Sequence, residues 1–205
     1  MLVKTMQNRN FTLRNCGLGG FTLIEMMVTI AIISVMLVLV APSFSDFLRK
    51  QRLVATTDSI TSAIGQARTR ALAQNVYVTI APIDGDWRNG WRVFSEGQNP
   101  DGVYDNGTDT LINQYDAAPS NMKVDYNSTA YVGGLGAATG NYLIYSPAGY
   151  TVSKLKQPQV AATFNIYYQG AASPSRVVIV NALGRARTCD PDTAVKNSCL
   201  ASLSQ

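Results

Sequence analysis

Few side chains in this 205-residue sequence could carry chemistry. Histidine is absent, which removes the Ser-His-Asp and Cys-His arrangements and every metal site that depends on imidazole. No paired carboxylates or nucleophile-base constellation stand out either, so an enzyme is not expected. What does stand out is Val180-Asn181-Ala182-Leu183-Gly184-Arg185-Ala186-Arg187-Thr188, directly ahead of Cys189. Gly184 suits a tight turn, and in an extended segment Arg185 and Arg187 share one side. Two guanidiniums held several ångströms apart match successive phosphate oxygens through charge-assisted bonds. Arg176, Lys196, Lys154 and Lys156 lie in the same C-terminal third and can extend the patch. The plain alternative is an edge strand guarded against aggregation by exposed arginines. Asp101, Asp105 and Asp109 stand four apart, whereas a calcium loop needs ligands two apart, so a hairpin turn is expected there and no metal or other cofactor.

The elements that must position these residues follow from an uneven distribution of polarity. Charged residues make up 15% and hydrophobic ones 46%, with a mean hydropathy of +0.03, which excludes a disordered or collagen-like chain. From Phe21 to Phe44 the only charge is Glu25. A helix of this length covers about 36 Å, enough to cross a bilayer core. Lys4, Arg9 and Arg14 precede it without an acid, which predicts a cytoplasmic N-terminus and translocation of the rest. A cleaved secretory signal is disfavoured by the long apolar run, the N-terminal region of about twenty residues and Pro42 after the candidate cut at Ala41. A plain signal anchor leaves Glu25 without a role, although a carboxylate within an apolar span calls for a partner.

Gly19-Gly20-Phe21-Thr22-Leu23-Ile24-Glu25 resembles the class III leader junction of type IV pilins and type II secretion pseudopilins. The resemblance implies cleavage after Gly20 by a prepilin peptidase, methylation of the new N-terminal Phe21, and pairing of Glu25 with the N-terminal amine of a neighbouring subunit. A buried pair of opposite charges favours the one register that forms it. Pro42 falls where the family commonly has a helix-kinking proline. Residues 1–20 are then a leader, 21–73 an N-terminal helix with 21–44 as membrane anchor and filament core, and 74–205 a β-rich head. The implied course runs from a single-pass inner-membrane protein with a periplasmic head to a surface-exposed position at or near a pilus tip, among other major and minor pilins.

Past Pro42, apolar residues at Phe44, Phe47, Leu48, Leu53, Ile60, Ala63, Ile64, Ala67 and Ala71 repeat at helical spacing, with one face to bury. Arg49, Lys50 and Arg52 read as solvated or lipid-headgroup charges at the membrane edge. From Val76 the period changes to two. Strands are predicted at 76–81, 90–94, 110–113, 122–126, 142–145, 150–152, 163–168 and 176–180, separated by Asp-Gly, Asn-Gly and Gly-Gly turns. The fold class is α+β, a long N-terminal helix packed against antiparallel sheets. Trp87-Arg88-Asn89-Gly90-Trp91-Arg92-Val93-Phe94, the Asp- and Asn-rich stretch 99–109, and Ile144-Tyr145-Ser146-Pro147-Ala148-Gly149 resemble the GspH/FimT branch of minor pilins. The tryptophans also have a packing explanation.

Cys16 falls in the leader, which leaves Cys189 and Cys199 as an even pair in an oxidising compartment, where a disulfide can form. Closing that loop contributes roughly 2.5 to 3 kcal/mol in the chain-entropy model. Two unrelated free thiols are the alternative. The Gly184-Arg185-Ala186-Arg187 pattern resembles that of FimT-type minor pilins, which bind DNA in natural transformation. That resemblance implies non-sequence-specific binding of double-stranded DNA through Gly184, Arg185 and Arg187. A FimU-like or GspH-like subunit that primes pilus or type II secretion pseudopilus assembly without touching DNA is the competing expectation. Whole-chain charge is +4, but the leader takes three basic residues with it, leaving 14 basic and 13 acidic side chains. The positive charge of the head is then concentrated in its C-terminal third.

Overall fold

The computed structural model describes residues 20–130, 140–158, 160–168, 170, 171 and 175–191, without the side chains of 38–43, 129 and 130. The chain divides into two compact units, residues 1–46 and 47–205. Helix α1, Leu23–Gln74, contributes to both and continues through Pro42.

In the first unit the helix begins with a device that the sequence reading passed over. Thr22 accepts at its Oγ1 from the Glu25 backbone N–H at 3.3 Å, and its carbonyl accepts from Met26 N–H at 3.2 Å. Thr22-Leu23-Ile24-Glu25 thus has the spacing of a capping box, with Glu25 in the first turn, where a carboxylate is favoured by the helix dipole. Thr29 and Ser34 donate their hydroxyls to the Met26 and Ala31 carbonyls at 2.9 and 2.8 Å, so these polar groups are satisfied within the helix. Among the described residues the large apolar side chains of this stretch are exposed in the single chain. Among the described residues no helix is long and apolar enough to cross a membrane.

In the second unit, α1 buries Leu53, Ile60, Ala63, Ile64, Ala67 and Ala71, the face predicted from their spacing. Phe44, Phe47 and Leu48 were expected on that stripe and remain exposed, because the core cluster begins only at Leu53. The helix ends one residue later than predicted, at Gln74, followed by Asn75 in the left-handed conformation common just past a helix C-terminus (φ 56°).

Among the described residues nine strands follow: β1 Tyr77–Pro82, β2 Trp91–Gly97, β3 Thr110–Tyr115, β4 Met122–Ala130, β5 Leu143–Tyr145, β6 Thr151–Val152, β7 Val160–Tyr168, β8 Arg176–Val180 and β9 Ala186–Cys189. Eight correspond to predicted runs, and β9 is the addition. They form two antiparallel sheets, in the orders β3-β2-β1-β5-β6 and β4-β7-β8-β9. Both sheets and the helix face share one hydrophobic cluster, to which Val78, Ile80, Val93 and Leu143 come from the first sheet and Val124, Phe164, Val178 and Val180 from the second.

The tryptophans belong to this core. Trp87, in the short 3-10 turn between β1 and β2, stacks on Tyr126 at 5.2 Å and meets Phe164 edge-on at 4.8 Å. Its Nε1 donates to Asn141 Oδ1 at 2.5 Å, which satisfies the one polar atom of the buried ring. Trp91 stacks on Tyr115 across the β2–β3 pair at 5.5 Å. The acidic stretch 99–109 connects β2 to β3, and Glu96 holds its near end by accepting the Asp101 and Gly102 backbone N–H groups. Burial pushes the Glu96 carboxyl upward, opposed by hydrogen bonds from Thr79, Gly102 and Asp101. Among the described residues no group of three or more His, Cys, Asp or Glu could hold a metal ion.

Truncation of the buried helix face tests this packing. Ile64→Ala should lower unfolding free energy by about 2–4 kcal/mol through lost burial and the cavity left behind, while Phe47→Ala should change it by less than about 0.5 kcal/mol. Denaturant unfolding of the detergent-solubilised chain measures both.

Candidate nucleic-acid interface

β8 and β9 are joined by a tight turn over Asn181-Ala182-Leu183-Gly184. Gly184 N–H donates to the Asn181 carbonyl at 2.8 Å, Asn181 N–H to the Arg185 carbonyl at 3.0 Å, and Arg185 N–H to Asn181 Oδ1 at 2.9 Å. Gly184 is buried with φ 75°, and a Cβ there would stand 2.7 Å from both the Gly149 carbonyl oxygen and Tyr145 Cε1. The tight turn expected from the sequence is therefore real, and both backbone sign and space restrict the position to glycine.

The turn is fastened to the first sheet. Tyr145, the last residue of β5, donates its hydroxyl to the Gly184 carbonyl at 3.0 Å. Arg68 of α1 donates its Nε to the Gly149 carbonyl at 2.9 Å, in the turn that abuts Gly184. Thr151 of β6 donates to the Val160 carbonyl at 2.5 Å and lies 3.3 Å from that of Ala182. Tyr145 and Arg68 are positioning residues that the sequence reading missed. Burial drives the Tyr145 phenol far above its ordinary range, with the Arg68 charge pulling the other way.

Among the described residues β9 is the edge strand of the second sheet and pairs only with β8, Ala186 opposite Val180 and Arg187 opposite Ile179. Ala186 packs on the core beside Val180, so strand alternation places Arg187 on the other face, while Arg185 lies just ahead of the strand. Both arginines are exposed. Cys189, two residues on, is disulfide-bonded. Its predicted partner Cys199 and the candidate Lys196 lie outside the described residues.

The remaining candidates are placed elsewhere. Arg176 shares the face of Val178 and Val180, opposite to Arg187, and pairs with Asp190 at 3.3 Å. Lys156 donates to Asn99 Oδ1 at 3.2 Å and its ammonium stands 5.7 Å from the Tyr77 ring centroid. Lys154 is exposed in the same loop, where its backbone hydrogen-bonds Tyr142. At the other end of the chain, Gly20 and Phe21 are exposed ahead of α1.

The model of the family described as "Type II transport protein GspH" matches residues 56–184. The chain belongs to this family. A second model, the prokaryotic N-terminal methylation motif, matches residues 19–41. Among solved structures, the type IV minor pilin FimU of Pseudomonas aeruginosa is similar with a TM-score of 0.50 at 17% identity, over 69% of this chain and 90% of that one. The minor pseudopilin EpsH from the type 2 secretion system of Vibrio cholerae aligns at 13% identity with a TM-score of 0.42, over 68% of this chain and 96% of that one. No curated protein matches the chain.

The fold of this GspH-family chain is the α+β pilin fold, a long N-terminal helix followed by antiparallel sheets. Such pilins and pseudopilins are structural proteins and not enzymes. The methylation motif implies prepilin-type anchoring in the inner membrane, processing by a prepilin peptidase and incorporation among other pilins. The GspH match ends at Gly184, so Arg185, Arg187 and Cys189 lie just beyond it.

The clamp on the turn is testable by stability. Gly184→Ala should destabilise the head by about 1–3 kcal/mol through backbone strain and overlap with Tyr145. Tyr145→Phe should cost about 1 kcal/mol by orphaning the Gly184 carbonyl. Because the folded phenol resists ionisation while an unfolded one ionises near pH 10, stability should fall above about pH 10. Tyr145→Phe should reduce that alkaline loss in a pH series of melting curves.

Proposed function

We propose that this GspH-family minor pilin binds extracellular double-stranded DNA without sequence preference, through Arg185 and Arg187, for uptake in natural transformation. The observation that carries the reading is the pair of exposed arginines two residues apart at the start of an edge strand, between a clamped glycine turn and a disulfide-bonded cysteine. A pre-positioned pair loses less entropy on engaging phosphates than two freely rotating side chains. In the same reading residues 1–20 are the leader, cut after Gly20, Phe21 is methylated, and Glu25 pairs with the amine of a neighbouring subunit. The helix 21–73 then carries the anchor and filament core in its residues 21–44, and 74–205 forms the surface-exposed head.

A second reading is a subunit that primes assembly of a pilus or type II secretion pseudopilus without touching DNA. It is favoured by the commitment of Arg176 to Asp190 and of Lys156 to Asn99 and Tyr77, which narrows the basic patch.

An electrophoretic shift assay with duplex DNA and the full chain in detergent tests the first reading. Arg185→Ala with Arg187→Ala should abolish the shift while the melting temperature is kept. With two phosphates neutralised, log K should fall against log salt with a slope of about −2. Unchanged binding in the double variant contradicts the assignment. In cells, deletion that removes transformation but spares pili supports DNA capture, whereas loss of pili supports the assembly role.

A further inference from the structure

The chain holds two Asn-Gly pairs, Asn89-Gly90 and Asn106-Gly107, and the fold treats them in opposite ways. Asparagine before glycine is chemically labile, because a backbone nitrogen unshielded by a Cβ can reach the side-chain amide carbon. At the first pair that approach is blocked. Gly90 is buried with φ 96°, and a Cβ there would run into the Tyr115 carbonyl. Its N–H faces the Trp87 carbonyl at 3.4 Å, its own carbonyl accepts Ile83 N–H at 3.0 Å, and Asn89 N–H donates to Asp86 at 3.0 Å. The peptide is thus held on both sides.

At the second pair the restraints lie outside the reacting atoms. Asp109 N–H donates to the Asp105 carbonyl at 2.9 Å and Asp105 N–H to Asp109 Oδ2 at 2.8 Å, bracing the turn at its ends. Between them Asn106 and Gly107 are exposed, nothing stands within 4 Å of a Cβ built on Gly107, and the Gly107 N–H has no hydrogen-bond partner among the described residues. The Tyr104 hydroxyl lies 3.3 Å from Asn106 Oδ1, where a donated hydrogen bond makes Cγ more electrophilic.

We propose that Asn106 is a site of spontaneous deamidation in the folded protein, while Asn89 is protected. The Gly107 nitrogen bonds to Asn106 Cγ, the Cγ–Nδ2 bond breaks, and Nδ2 leaves as ammonia with the proton from the Gly107 amide. Water then adds to either carbonyl of the resulting succinimide and opens it to aspartate or isoaspartate, with no change of oxidation state. Each event adds one carboxylate to a loop that already holds Asp101, Asp105 and Asp109. The isoaspartate product also lengthens the backbone inside the Asp105–Asp109 brace. Tyr104 of this loop packs edge-on against Phe94 at 5.3 Å and lies beneath the Arg92 guanidinium at 5.2 Å, so the modification alters the cover of the first sheet.

The test is peptide mapping by tandem mass spectrometry of the full chain in detergent, aged at neutral pH, in parallel with a urea-unfolded sample. Deamidation is read as a gain of about one dalton at each asparagine. In the folded chain Asn106 should convert at least about tenfold faster than Asn89, since every 1.4 kcal/mol needed to open the Gly90 turn slows Asn89 tenfold. In urea the two rates should converge. Gly107 has open space around its Cβ position, so Gly107→Ala should fold normally and slow Asn106 by about tenfold or more. Asn89 converting as fast as Asn106 in the folded chain overturns the proposal, as does an Asn106 that reacts only in urea.

Discussion

Everything in the head depends on one buried helix face. Leu53, Ile60, Ala63, Ile64, Ala67 and Ala71 present a stripe on which two sheets of different strand order close into a single core. Neither sheet could bury its inner face alone, because a sheet needs an apolar layer opposite it. The alanines matter as much as the larger residues. With almost no exposed surface at Ala63, Ala67 and Ala71, the helix can be approached closely along that line. The aromatic group of Trp87, Tyr126 and Phe164 then joins the two sheets, with Trp87 from the connection after β1 and its partners from β4 and β7.

The arginine strand inherits its position from that closure. Among the described residues β9 is short, lies at an edge and pairs with one neighbour, so its own ladder holds it weakly. Long-range contacts hold its entry point instead: Tyr145 to Gly184, Arg68 to Gly149 and Thr151 towards Ala182. These come from β5, α1 and β6, three elements remote in sequence from the turn. The glycine of the Gly184-Arg185-Ala186-Arg187 pattern therefore acts in packing, while both arginines are exposed to solvent.

Much of this was legible beforehand. The helical spacing from Leu53 to Ala71 marked the buried face, and alternation of β-branched and aromatic residues marked eight strands. β9 was harder to see because Ala186 is its only inward apolar residue and polar Arg185, Arg187 and Thr188 surround it. β4 and β7 run longer than expected, since Asn127-Ser128 and Ala161-Ala162 lack strong strand formers but lie within the same ladder. The Thr22-Leu23-Ile24-Glu25 cap was readable from its spacing and was overshadowed by the cleavage motif it overlaps. The Arg176–Asp190 pair depended on the register of β8 with β9, and the Tyr145 and Arg68 clamps on contacts across 39 and 81 residues of chain, which local patterns do not encode.

The most direct measurement of the central claim is backbone amide NMR of the isotope-labelled protein titrated with short duplex DNA. The account predicts progressive shifts concentrated at residues 184–189, reversed by added salt, with the acidic 99–109 loop unmoved. Shifts confined to other surfaces, or none at 184–189 at DNA concentrations that saturate binding, would contradict it.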